Sequence, residues 1–274
     1  MSVLEAIVLG IVQGLTEFLP ISSTAHLRIV PAFVGWEDPG AAFTAVTQLG
    51  TMTAVLIYFR ADLVRIARAW LASLRAPERR RELDARLGWY ILLGTIPIGI
   101  FGLAFKDQIE NGARDLYLIG TALIVLGVVL AIADRVGRRE RSVEQIETRD
   151  GVWVGVAQAL ALIPGVSRSG ATITAGLFLG LDRASAARFS FLLSIPAVVL
   201  SGLLELGTLL SGDEDDHTGV GTLVIATVLA FVVGYASIAF LLRYLATHTT
   251  MPFVVYRVAL GAVVLSLTAA GTIG

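Results

Sequence analysis

The sequence predicts an all-α polytopic membrane protein: six transmembrane helices plus two re-entrant broken-helix hairpins, arranged as an inverted-topology repeat. Three observations lead there. Of 274 residues, 55% are hydrophobic and 16% charged, with a mean hydropathy of +0.78. A soluble domain carries about 25% charged residues, so a water-soluble enzyme of this length is excluded. Several uncharged runs approach the roughly 20 residues that a helix needs to cross the hydrocarbon core. The chain also resembles itself at an offset of 145 residues. One integral membrane domain over residues 1–274 is expected, with repeat one at about 1–133, repeat two at about 151–274 and a cytoplasmic loop 134–150 between them.

Taken in order, the first apolar stretch, Val3 to Leu19, has Glu5 near its start and no basic residue before Arg28. It lacks the positive n-region of a cleavable signal peptide and is read as part of the mature protein. This stretch and Ala25 to Val34 are too short or too interrupted to cross alone, and form the first broken hairpin. Ala41 to Phe59 is the first span; Leu87 to Phe105 and Leu116 to Ala133 are the second and third. Val152 to Ile163 and Ala171 to Leu181 form the second hairpin. Phe189 to Leu210 with its single Glu205, Val220 to Leu242, and Phe253 to Ala270 with Arg257 near its start complete the six.

Arginines set the orientation. The loop from Arg60 to Arg86 holds eight and Asp134 to Asp150 holds five, so both are expected in the cytoplasm. The Lys106 to Asp115 loop has two basic residues, and the acidic Ser211 to Gly219 loop has none, which puts both outside. The charge runs themselves are read as solvated loops. With these sides assigned, the first hairpin begins and ends outside and the second begins and ends inside. Lys106 is the only lysine, which reads as compositional bias, and the absence of cysteine removes disulfides, thiolate metal sites and cysteine nucleophiles. A net charge of -1 gives no basic footprint for nucleic acid, and no nucleic-acid partner is expected.

The repeat marks the site. At the 145-residue offset Gly10 falls on Gly155, Gln13 on Gln158, Leu15 on Leu160 and Ser22 on Ser167. Each hairpin has an apolar helix, a proline (Pro20, Pro164), a hydroxyl cluster and a second helix, predicted to begin near Ala25 and Ala171 with Ser22-Ser23-Thr24 and Ser167-Arg168-Ser169-Gly170 as caps. Inverted repeats with interrupted helices place a site near the bilayer midplane, where half-helix N-termini meet anionic groups. Free N–H groups, hydroxyls and a guanidinium together suit an oxyanion, phosphate above all. Glu17 follows Gln13 by four residues, so the two share a helical face and can hold a hard divalent cation or orient water. Gly10 and Gly14 allow a neighbouring backbone to approach closely. His26, three residues after Ser23, is placed to act as its base. Glu5, Arg28 and Glu205 read as interfacial, and His217 and His248 are not expected to be ligands.

The segments Gln13-Gly-Leu-Thr-Glu17-Phe-Leu-Pro-Ile-Ser-Ser-Thr-Ala-His26 and Pro164-Gly-Val-Ser-Arg-Ser-Gly-Ala-Thr172 resemble the two signature motifs of the undecaprenyl-diphosphate phosphatases, also called bacitracin-resistance proteins. Phe189-Ser-Phe-Leu-Leu-Ser-Ile-Pro196 and Pro252-Phe-Val-Val-Tyr-Arg257 are similar to later family segments, so the resemblance covers nearly the whole chain. It implies a multi-pass enzyme of the plasma membrane that hydrolyses a polyprenyl diphosphate to the monophosphate and inorganic phosphate, recycling a lipid carrier of cell-wall synthesis. It implies Glu17 as the essential acid, Ser23 as the proposed nucleophile, His26 as its base or acid and Arg168 as phosphate clamp, with direct attack by water activated at Glu17 or the metal as the rival route. Ser22, Thr24, Ser167, Ser169, Gly170, Thr172 and Arg257 would bind phosphate. A divalent cation, Mg2+ or Ca2+, would sit with Gln13 and Glu17. Expected partners are the lipid substrate, the bilayer and a second copy of the chain in a homodimer. Two positions depart from the family pattern. Gln13 leaves one carboxylate on its helical face, so the substrate diphosphate would hold much of the metal, and Ala25 replaces a glycine often found before the histidine. A different class of function, a transporter or flippase of lipid phosphate or small anions, uses the same kind of inverted repeat.

Overall fold

The computed structural model describes residues 1–105, 115–211 and 219–273. Among the described residues the chain is helical without strands: α1 (Val3–Phe18), α2 (Ser23–Val34), α3 (Gly40–Tyr58), α4 (Arg60–Arg75), α5 (Leu83–Ala104), α6 (Leu116–Val136), α7 (Thr148–Ala159), α8 (Arg168–Phe178), α9 (Arg183–Ser211), α10 (Val220–Leu245) and α11 (Met251–Ala269). Among the described residues five stretches are long and apolar enough to cross a membrane: Leu83–Ala104, Leu116–Val136, Arg183–Gly202, Val220–Leu245 and Met251–Ala269. They match five of the expected spans, and the chain is a multi-pass membrane protein. The remaining expected span, Ala41 to Phe59, falls on α3, Gly40–Tyr58. Residues 106–114 and 212–218, with His217 and most of the two expected outer loops, lie outside the described residues, as does the side chain of Glu205.

The arginine-rich segments are more structured than solvated loops. Arg60 to Arg75 is helical because Asp62 in its first turn and Arg75 in its last oppose the helix dipole, and Ile66 and Ser73 are buried on one face. Val64, Leu71 and Leu74 remain exposed on the other. Arg65 reaches both Asp62 and Asp84 at 2.9 Å; the hydrogen bond to Asp84 is the main reason its guanidinium titrates above the ordinary arginine value. In the 134–150 segment the two terminal aspartates are buried. Arg141 forks onto Asp150 at 3.1 and 2.6 Å, a bond that raises the arginine's own pKa. Asp134 accepts from Arg183 Nε at 2.5 Å and from the Thr250 amide and hydroxyl at 3.0 Å, which joins the ends of α6, α9 and α11. A carboxylate can be buried when its oxygens are paired in this way.

Helices of the two halves pack on one another in exchange. The first hairpin's α1 lies on α10, and the second hairpin's α7 lies on α5; α3 likewise meets α10 while α9 meets α5, and α6 pairs with α11. The α1–α10 crossing is close because a Cβ on Gly10 would sit 2.5 Å from the Ala226 carbonyl oxygen and one on Gly14 would sit 2.7 Å from that of Ala230. Phe18, at the end of α1, stacks edge-on against Phe191 of α9 at 5.5 Å, and Phe191 meets Phe59 at 6.3 Å. This aromatic contact seats the first break against the second half of the chain.

Candidate active site

Both hairpins break in the same way, and the sequence explains the break. A proline disfavours helical backbone in the residue before it: Leu19 (ψ 145) and Ile163 (ψ 122) are extended ahead of Pro20 and Pro164. The chain then turns through Ser22 at φ 76 and Ser167 at φ 71, left-handed values that cost a residue with a Cβ about 1–3 kcal/mol. Each serine caps the helix that follows, accepting from Ala25 N at 3.4 Å and from Gly170 N at 3.1 Å. Ser22 also bonds Thr24 at 3.2 Å, as Ser167 bonds Ser169 at 3.2 Å. With the caps at these serines, α2 begins at Ser23 and α8 at Arg168, earlier than the expected starts near Ala25 and Ala171. Ser23 and Arg168 therefore occupy the same position, the first residue of the second half-helix.

Glu17 joins them. Its Oε2 accepts from Ser23 Oγ at 2.5 Å and from Gln13 Nε2 at 3.2 Å, and its Oε1 accepts a short hydrogen bond from Arg168 Nη2. The carboxylate is nearly buried at 9% side-chain exposure, so its charge is poorly screened and its bond to the arginine is correspondingly strong. Gln13 Oε1 is buried without a hydrogen-bond partner. Among the described residues no group of three or more His, Cys, Asp or Glu could hold a metal. The available donors for a hard cation are thus the Glu17 carboxylate and the orphaned Gln13 oxygen. That set fits magnesium, which is commonly held by one or two carboxylates plus substrate phosphates.

His26 is placed differently from the expected base of Ser23. Its Nδ1 lies 2.7 Å from the Ser22 carbonyl and its Nε2 lies 2.7 Å from the Tyr256 hydroxyl, with the two rings stacked at 5.6 Å. A carbonyl only accepts, so Nδ1 carries the proton and the Nε2 of the neutral ring accepts from Tyr256. Tyr256 lies in the Pro252–Arg257 segment singled out by the resemblance, but its pairing with His26, 230 residues away, carries no signal in the sequence.

The remaining expected residues divide between the turns and the packing behind them. Ser22, Thr24, Ser167 and Ser169 line the two turns, and Ser169 Oγ donates to the Leu19 carbonyl at 3.0 Å, which ties the turns together. Thr172 is fully buried, bonded to the Arg168 carbonyl at 2.7 Å and to Ser190 at 2.5 Å. Arg257 is fully buried and donates to the carbonyls of Pro20, Gly165 and Val166 at 3.0–3.1 Å. Gly170 lies against it.

A carboxylate bonded to a hydroxyl, with a guanidinium and two capped helix starts beside it, can deprotonate the hydroxyl and receive a phosphate. Comparison with known proteins places the chain in a family. A family model described as "Bacitracin resistance protein BacA" matches residues 6–263. A protein of Nocardioides sp. named undecaprenyl-diphosphatase is 58% identical over 270 residues, covering 98% of each chain. Another of that name from Mycolicibacterium smegmatis is 58% identical over 274 residues, covering 100% of this chain and 99% of its own. A third, from Thermobifida fusca, is 54% identical over 273 residues, covering 100% and 92%.

Proposed function

The chain belongs to the bacitracin resistance protein BacA family, and on that premise we propose that it is an undecaprenyl-diphosphate phosphatase, releasing inorganic phosphate and the lipid monophosphate for another round of carrier use. The observation that carries the reading is the Ser23–Glu17 hydrogen bond at 2.5 Å beside Arg168. In the proposed reaction the incoming terminal phosphate takes the Arg168 donors, which leaves Glu17 free to accept the Ser23 proton. Ser23 Oγ bonds the terminal phosphorus, the bond from that phosphorus to the oxygen bridging the two phosphates breaks, and the lipid monophosphate departs. Water then hydrolyses the phosphoserine and regenerates the hydroxyl. Ser22, Thr24, Ser167, Ser169 and the amides of the two helix starts receive the phosphate oxygens. His26 with Tyr256 holds the Ser22 peptide in its left-handed turn. Gln13 and Glu17, together with the diphosphate, would hold a Mg2+ or Ca2+ ion, which when bound supplies charge neutralisation for phosphoryl transfer.

The same proposal places six spans and two re-entrant hairpins of opposite entry in the plasma membrane, as one integral domain with repeats at about 1–133 and 151–274. Supporting it are the matched turns at Ser22 and Ser167 and the exchanged packing of α1 on α10 and α7 on α5. A homodimer is included in the proposal as a sequence expectation. The transporter reading is not favoured, because a carrier has no use for a serine bonded to a buried carboxylate. The test is phosphate release from undecaprenyl diphosphate by purified protein in detergent, where no gradient exists, with and without a chelator. Release abolished by the chelator and restored by magnesium is expected; no release in any condition would refute the phosphatase.

A further inference from the structure

We infer that Arg257 is a positioning residue that sets the separation of the two catalytic turns, and so the distance between Ser23 and Arg168; the inference rests on the phosphatase reading above. An ionised side chain inside a membrane segment is costly, and among the described residues Arg257 bonds no carboxylate. Its guanidinium instead makes five to backbone carbonyls. Nη1 donates to Pro20 O at 3.1 Å, Nη2 to Gly165 O and Val166 O at 3.0 Å and to Ala122 O at 3.4 Å, and Nε to Leu123 O at 3.3 Å. Three of these carbonyls belong to the two breaks, where no helix continues to supply an amide donor. The other two belong to α6, which anchors the group to a spanning helix.

The consequence is geometric. Pro20 O lies three residues before Ser23 and Val166 O lies two before Arg168, so one rigid planar ion bridges the backbone leading to the nucleophile and the backbone leading to the clamp. Room for it is built in: a Cβ on Gly170 would stand 2.6 Å from Nη1 and one on Gly127 would stand 3.4 Å from the Arg257 Cβ. A lysine ammonium is a single point and cannot reach both turns and α6 at once.

Arg257→Lys and Arg257→Ala, purified as full-length protein in detergent, test this with undecaprenyl diphosphate as probe. A displacement of about 1 Å between reacting groups costs roughly 100-fold in rate, so kcat is expected to fall about that much while KM stays within about threefold. Methylguanidinium added to Arg257→Ala should restore kcat. Independently of activity, hydrogen–deuterium exchange should rise together at amides 21–26 and 165–171 in both variants and stay unchanged in α4. A raised KM with kcat intact would make Arg257 a direct phosphate ligand and overturn the proposal. So would exchange altered at one turn alone, wild-type behaviour in both variants, or failure of both variants to fold, which would assign the residue to stability. If the wild-type protein releases no phosphate yet both turns loosen together in Arg257→Lys, the phosphatase reading fails and the coupling of the turns stands.

Discussion

Ser23 is the first residue of α2 because Ser22, and not Ser23, accepts the capping amide. That register leaves the Ser23 hydroxyl free to donate to Glu17, and it predicts the hierarchy of variant effects. Ser23→Ala removes the proposed nucleophile and should lower turnover by at least about 100-fold, the lower range for loss of a group acting directly in proton or nucleophile chemistry, with lipid binding retained. A Ser23→Ala enzyme within a few-fold of wild type would favour direct attack by water. Arg168→Lys keeps the charge and loses the planar fork, so most turnover should vanish while the protein still folds; near wild-type rates would make Arg168 structural. Tyr256→Phe deletes only the donor to His26 Nε2 and should cost less than either, about tenfold or under, since one neutral hydrogen bond contributes about 0.5–1.5 kcal/mol. That Glu17, Ser23 and Arg168 are candidate site residues was legible in the sequence, and the structure brings the three together. The partner of His26 was not, because three-residue spacing to Ser23 says nothing about a carbonyl and a phenol that compete for the ring.

The half-helices depend on glycines where helices cross. Gly10 and Gly155, equivalent at the 145-residue offset, both sit at such crossings, Gly10 under α10 and Gly155 against Gly94 of α5. Gly10→Val must push the Ala226 backbone away, and overpacking of this kind costs about 1–3 kcal/mol. Its melting temperature in detergent should drop by several degrees, while Gly99→Ala, with nothing within 4 Å of the added carbon, should be close to neutral. Equal melting of the two variants would show that α1 does not need this approach to α10. Five spans and the two breaks could be read from apolar run length and the two prolines. The α4 helix could not, because Arg60–Arg75 alternates arginine with short apolar runs, a pattern that a solvated loop shares. Its buried face, with Ile66 and Ser73, is defined only by the packing of α4 on α5.

At the scale of the whole molecule the arginine-rich segments at 60–86 and 134–150 should share the cytoplasmic side. The protein has no cysteine, so single cysteines at Arg80 and Asp215 should label from opposite faces of intact cells. Labelling of both from outside would remove the topology and the inverted repeat together. What the sequence by itself determined is what local chemistry carries: the membrane class from composition, five spans from run length, and the two matched breaks from proline and hydroxyl clusters at a fixed offset. The tertiary structure decided which donors meet which acceptors across the chain. Glu17 finds Arg168 over 151 residues, Arg257 reaches Pro20 over 237, and Asp134 and Asp150 are buried rather than solvated. Such pairings depend on how helices from the two halves pack against each other, and a hydrogen bond between residues so far apart leaves no periodicity or spacing in the sequence to announce it.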